Sequence, residues 1–174
     1  MSTPAVFFDR DGTLMEEVYY CGDPTKVRVY AGVSAGLRRL REAGFRTFIV
    51  SNQAGIGRGL ITEQQYRAVE AALIAQIGEG LIDASYFCPD VPGTPSTRRK
   101  PEPGMLFEAA AEYDIDLAGS YTVGDKAADV ECGRRAGTKT ILVLTGYGSD
   151  QDCQPDFRVR DAVQAIETVL ARLT

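Results

Sequence analysis

The chain contains no histidine. That absence removes the commonest general base, the imidazole of hydrolytic triads and the commonest nitrogen ligand for metals. Acid/base or covalent chemistry must then come mainly from carboxylates, hydroxyls or lysines. Cysteine is scarce: Cys21, Cys88, Cys132 and Cys153 are scattered, form no C-x-x-C pair, and read as reduced thiols rather than a disulfide framework. No apolar run approaches the roughly 18 residues that span a bilayer. The first such run is cut at Asp9 and Arg10, before a secretory leader could form. The expectation is a cytoplasmic protein with no membrane partner. Positive charge is in deficit, with 19 Lys and Arg against 24 Asp and Glu and a net charge of −5. Binding nucleic acid needs a basic face, so that partner class is excluded, while a small anionic ligand fits wherever basic residues gather.

What remains is an ordinary soluble composition, 44% hydrophobic and 25% charged. A length of 174 residues predicts one domain, 1–174, around a single hydrophobic core. Short apolar runs at 4–8, 45–50, 85–88, 121–124 and 139–144 read as strands, with an edge strand at 157–159. Helical spacing of Val33, Leu37 and Leu40 predicts a helix over 32–43, closed by Gly44. Thr62 and Gln65 form a capping box for a helix to Ile77 that carries Tyr66, Val69 and Leu73 on one face. Further helices are predicted over 103–113, 125–136 and 161–173, and loops over 51–60 and, from its prolines, over 89–103. Continuous apolar strands alternating with helices predict the α/β class: a Rossmann-like three-layer sandwich around a mainly parallel sheet.

In such sheets ligands bind beyond the carboxyl ends of the strands. Asp9 follows the first strand, Ser51 the second and Asp125 the strand at 121–124, while Arg99 and Lys100 precede a helix on the same side. Asp9 and Asp11, two residues apart before the turn at Gly12, attract a hard cation. Mg²⁺ prefers oxygen ligands and keeps room for a substrate phosphate; Asp9, the carbonyl of Asp11, and Asp125 could supply them. A phosphate ester is then the natural substrate. Lys100 and Ser51 would hold its phosphoryl oxygens, Asp9 would attack phosphorus, and Asp11 would serve as acid and then base.

Four motifs carry a resemblance: Asp9-Arg10-Asp11-Gly12-Thr13-Leu14, Ser51-Asn52-Gln53, Lys100, and Gly124-Asp125-Lys126 with Asp129. In this order and spread over most of the chain, they are similar to those of the haloacid dehalogenase superfamily of phosphohydrolases. The stretches 51–59, 99–105 and 123–126 resemble the branch of D-glycero-D-manno-heptose 1,7-bisphosphate phosphatases and histidinol-phosphate phosphatases. The resemblance implies a capless or nearly capless phosphatase acting through an aspartyl-phosphate on Asp9, with Asp11 as acid/base and Ser51 and Lys100 stabilising the intermediate. It also implies Mg²⁺ on Asp9, Asp11 and Asp125, and substrate-orienting roles for Tyr20, Asn52, Gln53, Arg99 and Lys126.

One departure is plain. Members of this branch commonly carry a zinc loop of the form C-x-H followed by C-x-C. Here Cys88 is followed by Asp90, Ser96 and Arg98 at the remaining positions, so no structural zinc is expected. The preferred substrate is a small phosphorylated sugar, heptose 1,7-bisphosphate cleaved at C7, with histidinol phosphate as the alternative. A nucleic-acid 3′-phosphatase would share the motifs but would need a basic groove. A non-catalytic phosphate-binding module would have no use for both carboxylates. The oligomeric state is open.

Overall fold

The computed structural model describes residues 1–173. Its centre is a six-stranded, wholly parallel sheet made of β1 (Ala5–Phe8), β2 (Arg46–Asn52), β3 (Ala84–Cys88), β4 (Tyr121–Gly124), β5 (Lys139–Val143) and β6 (Phe157–Val159), in the order β3-β2-β1-β4-β5-β6. The helices are α1 (Val33–Glu42), the single turn α2 (Ala54–Gly57), α3 (Glu63–Ile77), α4 (Gly104–Tyr113), α5 (Ala127–Ala136) and α6 (Ala162–Leu170). This is the Rossmann-like three-layer arrangement that the run of apolar strands predicts.

Alternation along β1 shows why its residues are apolar on both sides. Val6 and Phe8 point into a cluster with residues of α1, α3 and α6, including Leu37, Leu73 and Ile166. Ala5 and Phe7 point into a second cluster with Met105, Leu106 and Ala109 of α4 and Cys132 and Ala136 of α5. The single core expected from chain length is therefore two, because a sheet buried on both faces separates its two sets of side chains. Phe48 anchors the second: its ring stacks on Phe7 at 5.3 Å and meets Tyr113 edge-on at 5.0 Å. Phe48→Ala is expected to cost about 3–5 kcal/mol, read as a lowered denaturation midpoint with an unchanged slope.

Several boundaries differ from the sequence expectation. Strand β2 runs two residues further, because Ser51 and Asn52 stay in register with Phe87 and Cys88. The expected loop after it contains α2, whose Gly57 passes so close to the Pro89 carbonyl that a side chain there would collide. Helix α5 starts at Ala127 rather than Asp125, since the Asp129 carboxylate accepts from the Lys126 amide at 3.0 Å and leaves Asp125 outside the helix. Helix α6 likewise stops at Leu170 rather than Leu173, and Asp161, the expected first residue of the helix, is its N-cap. Among the described residues no helix is long and apolar enough to cross a membrane.

Candidate active site

The chain order reverses between β1 and β4, the two central strands, and a crevice opens beyond their carboxyl ends. Asp9, the residue after β1, is tied to β4 by its amide, which donates to the Val123 carbonyl at 2.9 Å. One carboxylate oxygen of Asp9 accepts from Lys100 Nζ at 3.0 Å. The Lys100 ammonium is almost fully buried and spends its other donors on Asp129 Oδ1 at 2.6 Å and the Val50 carbonyl at 2.7 Å. Burial opposes its charge, but Asp129 and Asp9 outweigh that and hold it protonated. Burial would likewise raise the Asp9 carboxyl; Lys100, the adjacent Asp125 and Lys126 reverse the effect and keep it below the ordinary carboxylate range. Lys100 sits on the proline-rich loop and is placed by Asn52. The Asn52 amide donates to the Lys100 carbonyl and accepts from the Lys100 amide, both at 3.0 Å.

Asp125 follows β4 and is wholly buried. One carboxylate oxygen from each of Asp9, Asp125 and Asp129 lies within 4.8 Å of the others. Asp125 Oδ2 accepts from the Tyr147 amide at 2.9 Å, whereas Oδ1 has no partner among the described residues. Burial, then the charges of Asp9 and Asp129, push the Asp125 carboxyl up to about 8. A buried carboxylate with an orphan oxygen, next to a second one held ionised, is the donor set that a hard divalent cation satisfies, so the residues fit Mg²⁺. Two glycines make the arrangement possible. Gly12 and Gly146 both have positive φ, 78° and 57°, and a Cβ at either would fall on Asp125 Oδ2. Thr145 Oγ1 ties the two turns together by donating to the Gly12 carbonyl at 2.7 Å.

Asp11 lies at the cleft wall, its carboxylate gripped by Arg10 and by Gln53 Nε2 at 3.0 Å. Gln53 also donates to Ser51 Oγ at 3.2 Å, which leaves the Ser51 hydroxyl proton free for another acceptor. Ser51 and Asp125 are buried beneath the cleft floor, while Asp9, Asp11, Asn52, Gln53, Arg99, Lys100 and Lys126 line a cavity of about 420 Å³. Tyr20 lines it too, in a left-handed conformation at φ 48°, its ring 4.2 Å from that of the exposed Tyr19. Lys126 Nζ rests 5.0 Å from the Tyr147 ring centroid. Although burial opposes it, Asp9 and Asp125 favour the charged form. The Arg99 guanidinium is fixed by the Asp90 carbonyl at 2.9 Å.

The proline-rich loop closes on itself by hydrogen bonding. Cys88 Sγ lies 3.3 Å from Asp90 Oδ2 and 3.7 Å from Ser96 Oγ, and Ser96 Oγ accepts from the amides of Arg98 and Arg99 at 3.2 and 3.0 Å. Arg98 points away, to Glu108 at 2.6 Å and the Phe87 carbonyl at 2.9 Å. Burial pushes the Cys88 thiol up, against the thiolate form that zinc requires. One thiol, one carboxylate and one hydroxyl do not fit a tetrahedral zinc centre.

The sequence assigns no role to four residues of this region. Arg10 is fully buried beneath Asp11, and Glu17, Arg58 and Tyr147 line the cleft. Burial and then the Asp11 charge push the Glu17 carboxyl up to about 7, and its Oε2 has no partner among the described residues.

The HAD-hydrolase-like family model matches residues 97–168. D-glycero-D-manno-heptose-1,7-bisphosphate 7-phosphatase from Thermosynechococcus vestitus is 36% identical over 99% of this chain and 98% of its own. The D-glycero-beta-D-manno-heptose-1,7-bisphosphate 7-phosphatase of Escherichia coli K12 is also 36% identical, over 83% of this chain and 81% of its own. Among solved structures, D,D-heptose 1,7-bisphosphate phosphatase from B. bronchiseptica, complexed with magnesium and phosphate, superposes with a TM-score of 0.87. It is 31% identical and covers 97% of this chain and 99% of that one.

Proposed function

The chain belongs to the haloacid dehalogenase-like family of D-glycero-D-manno-heptose-1,7-bisphosphate 7-phosphatases, and from that premise we propose that it removes the C7 phosphate of heptose 1,7-bisphosphate. In this reading residues 1–174 act as one capless catalytic domain. The observation that carries the bisphosphate is the charge of the cleft. Beyond the Asp9–Lys100 pair its walls bring Arg58, Arg99 and Lys126, three cations in a protein of net charge −5. A second phosphate satisfies them; the cationic side chain of histidinol phosphate does not.

Asp9, kept ionised beside Lys100, attacks phosphorus in line as the bond to the sugar oxygen breaks. Asp11 passes its proton to that oxygen, then takes one from the water that cleaves the aspartyl-phosphate and regenerates Asp9. Lys100 and the Ser51 hydroxyl stabilise the phosphoryl oxygens through both halves. Mg²⁺ held by Asp9, Asp125 and the Asp11 carbonyl would neutralise phosphoryl charge and the crowded carboxylates. Lys126 and Arg99 orient the substrate with Tyr20, while Asn52 and Gln53 support this work by placing Lys100 and Asp11 respectively.

Steady-state comparison of both heptose bisphosphate anomers, fructose 1,6-bisphosphate and histidinol phosphate tests the reading. The expected kcat/KM for a heptose bisphosphate is about 100-fold above that for histidinol phosphate, a difference of about 2.7 kcal/mol. A chelator should abolish all turnover. Best turnover on histidinol phosphate, or on an oligonucleotide 3′-phosphate, would reject the substrate.

A further inference from the structure

We propose that Arg10, between the two carboxylates of the first motif, is a positioning residue that fixes Asp11 for proton transfer, and that Glu70 of α3 fixes Arg10. The inference rests on Asp11 being the acid/base of the reaction. Its basis is the geometry of one guanidinium. The Arg10 side chain is entirely buried, a costly place for a cation unless each donor is satisfied. Nε donates to Asp11 Oδ2 at 3.0 Å and one terminal nitrogen to Asp11 Oδ1 at 3.2 Å, a two-pronged fork that defines the plane of the carboxylate. The other terminal nitrogen donates to Glu70 Oε2 at 3.2 Å. Gln53 Oε1 takes a longer contact at 3.4 Å, and the Tyr66 ring lies 5.2 Å away. Glu70 and Tyr66 share one face of α3, so the helix behind the sheet end determines where the fork points.

The arrangement bears on one step. When the ester bond breaks, the proton leaves the Asp11 carboxyl for the sugar oxygen and negative charge develops on Asp11. The Arg10 fork is already in place to receive that charge, so its stabilisation grows along the step and is worth more in the transition state than in the ground state. A leaving group that departs without a proton draws no benefit from it in that step, whereas the later hydrolysis of the aspartyl-phosphate is common to every substrate. Lysine cannot replace the fork, because an ammonium holds a carboxylate by a single point contact.

The test compares heptose 1,7-bisphosphate, an alkyl ester, with p-nitrophenyl phosphate, whose leaving group needs no proton. Arg10→Met is expected to lower kcat/KM about 30- to 100-fold on the sugar ester and less than about threefold on the aryl ester, within the range of general acid catalysis. That ratio covers the steps up to departure of the leaving group and not the shared hydrolysis of the aspartyl-phosphate. Arg10→Lys should behave like Arg10→Met. In an Asp11→Asn background Arg10→Met should add nothing on the aryl ester. Glu70→Gln keeps an acceptor for the guanidinium and removes only the charge. It should show the same selectivity at about three- to tenfold, and it keeps the question decidable if Arg10→Met does not fold. Equal losses of kcat/KM on both esters, unchanged kcat/KM on the sugar ester, or full recovery with lysine would overturn the role. Full sugar-ester activity in Asp11→Asn would instead remove the acid/base reading on which the inference stands, a failure visible before any Arg10 variant is made.

Discussion

Asp9→Asn is expected to lower kcat by at least about 10⁴-fold, more than about 5 kcal/mol of transition-state stabilisation, on every phosphate ester that the protein accepts. The amide that replaces the carboxylate has no anionic oxygen to attack phosphorus, so both the formation and the cleavage of the aspartyl-phosphate disappear together. Folding should be spared. Lys100 loses the charge of one partner but keeps Asp129 at 2.6 Å and the Val50 carbonyl at 2.7 Å. Rapid acid quench of the parent protein with substrate, followed by peptide mass analysis, should place one phosphoryl group on the peptide carrying Asp9, and none in the variant. Turnover of the variant within tenfold of the parent would remove Asp9 from the chemistry. A phosphorylated peptide elsewhere in the chain would move the nucleophile.

The parts of the molecule legible in the sequence are those in which local pattern and global burial agree. Strands β1, β2 and β4 are buried on both faces, so they appear as mainly apolar runs, broken only by Arg46, Thr47 and Thr122, and the polar residue that follows each run falls at the carboxyl end of the sheet. Asp9, Ser51 and Asp125 could be assembled from that rule alone, and the parallel register brings them to one edge. The continuation of β2 through Ser51 and Asn52 was hidden because both are polar. Only the sheet shows that they still pair with β3 and that Asn52 is committed to the Lys100 backbone.

Arg10 was hidden for a related reason. An arginine between two aspartates reads as a solvated charge, and the side chains that make its burial tolerable lie 43 and 60 positions away, at Gln53 and Glu70. Glu17 follows another glutamate, and the pair reads as ordinary exposed charge. Nothing local says that Glu16 and Glu17 have different surroundings, which are set by the turn from Asp11 to Met15 and the approach of Lys126. Sequence pattern thus reports which residues end a strand. It does not report which side chains of distant helices, such as Glu70 of α3, come to meet them.

That crowding of charge leads to a prediction in which stability and activity move in opposite directions. The Asp125 carboxyl is raised from its ordinary 3.8 to about 8 by burial and by Asp9 and Asp129. Below about pH 4 the group is protonated in folded and unfolded chains alike and costs nothing. As the pH rises towards 8 the unfolded chain releases the proton while the folded one retains it, so stability falls through this window and stays reduced above it. Asp125→Asn removes the titration, and its amide oxygen can still accept from the Tyr147 amide, as Asp125 Oδ2 does at 2.9 Å. In chelator-treated protein the variant is therefore expected to be more stable than the parent by about 2–4 kcal/mol at pH 8.5, and equal to it near pH 4. Mg²⁺ should raise the denaturation midpoint of the parent and leave the variant unmoved, and kcat of the variant should fall by about 10³-fold. Urea unfolding at the two pH values, with and without Mg²⁺, measures the stabilities, and a steady-state assay with Mg²⁺ measures kcat. A variant less stable than the parent at pH 8.5 without metal would mean that Asp125 is held by favourable contacts rather than kept, at a cost in stability, for the ion it binds.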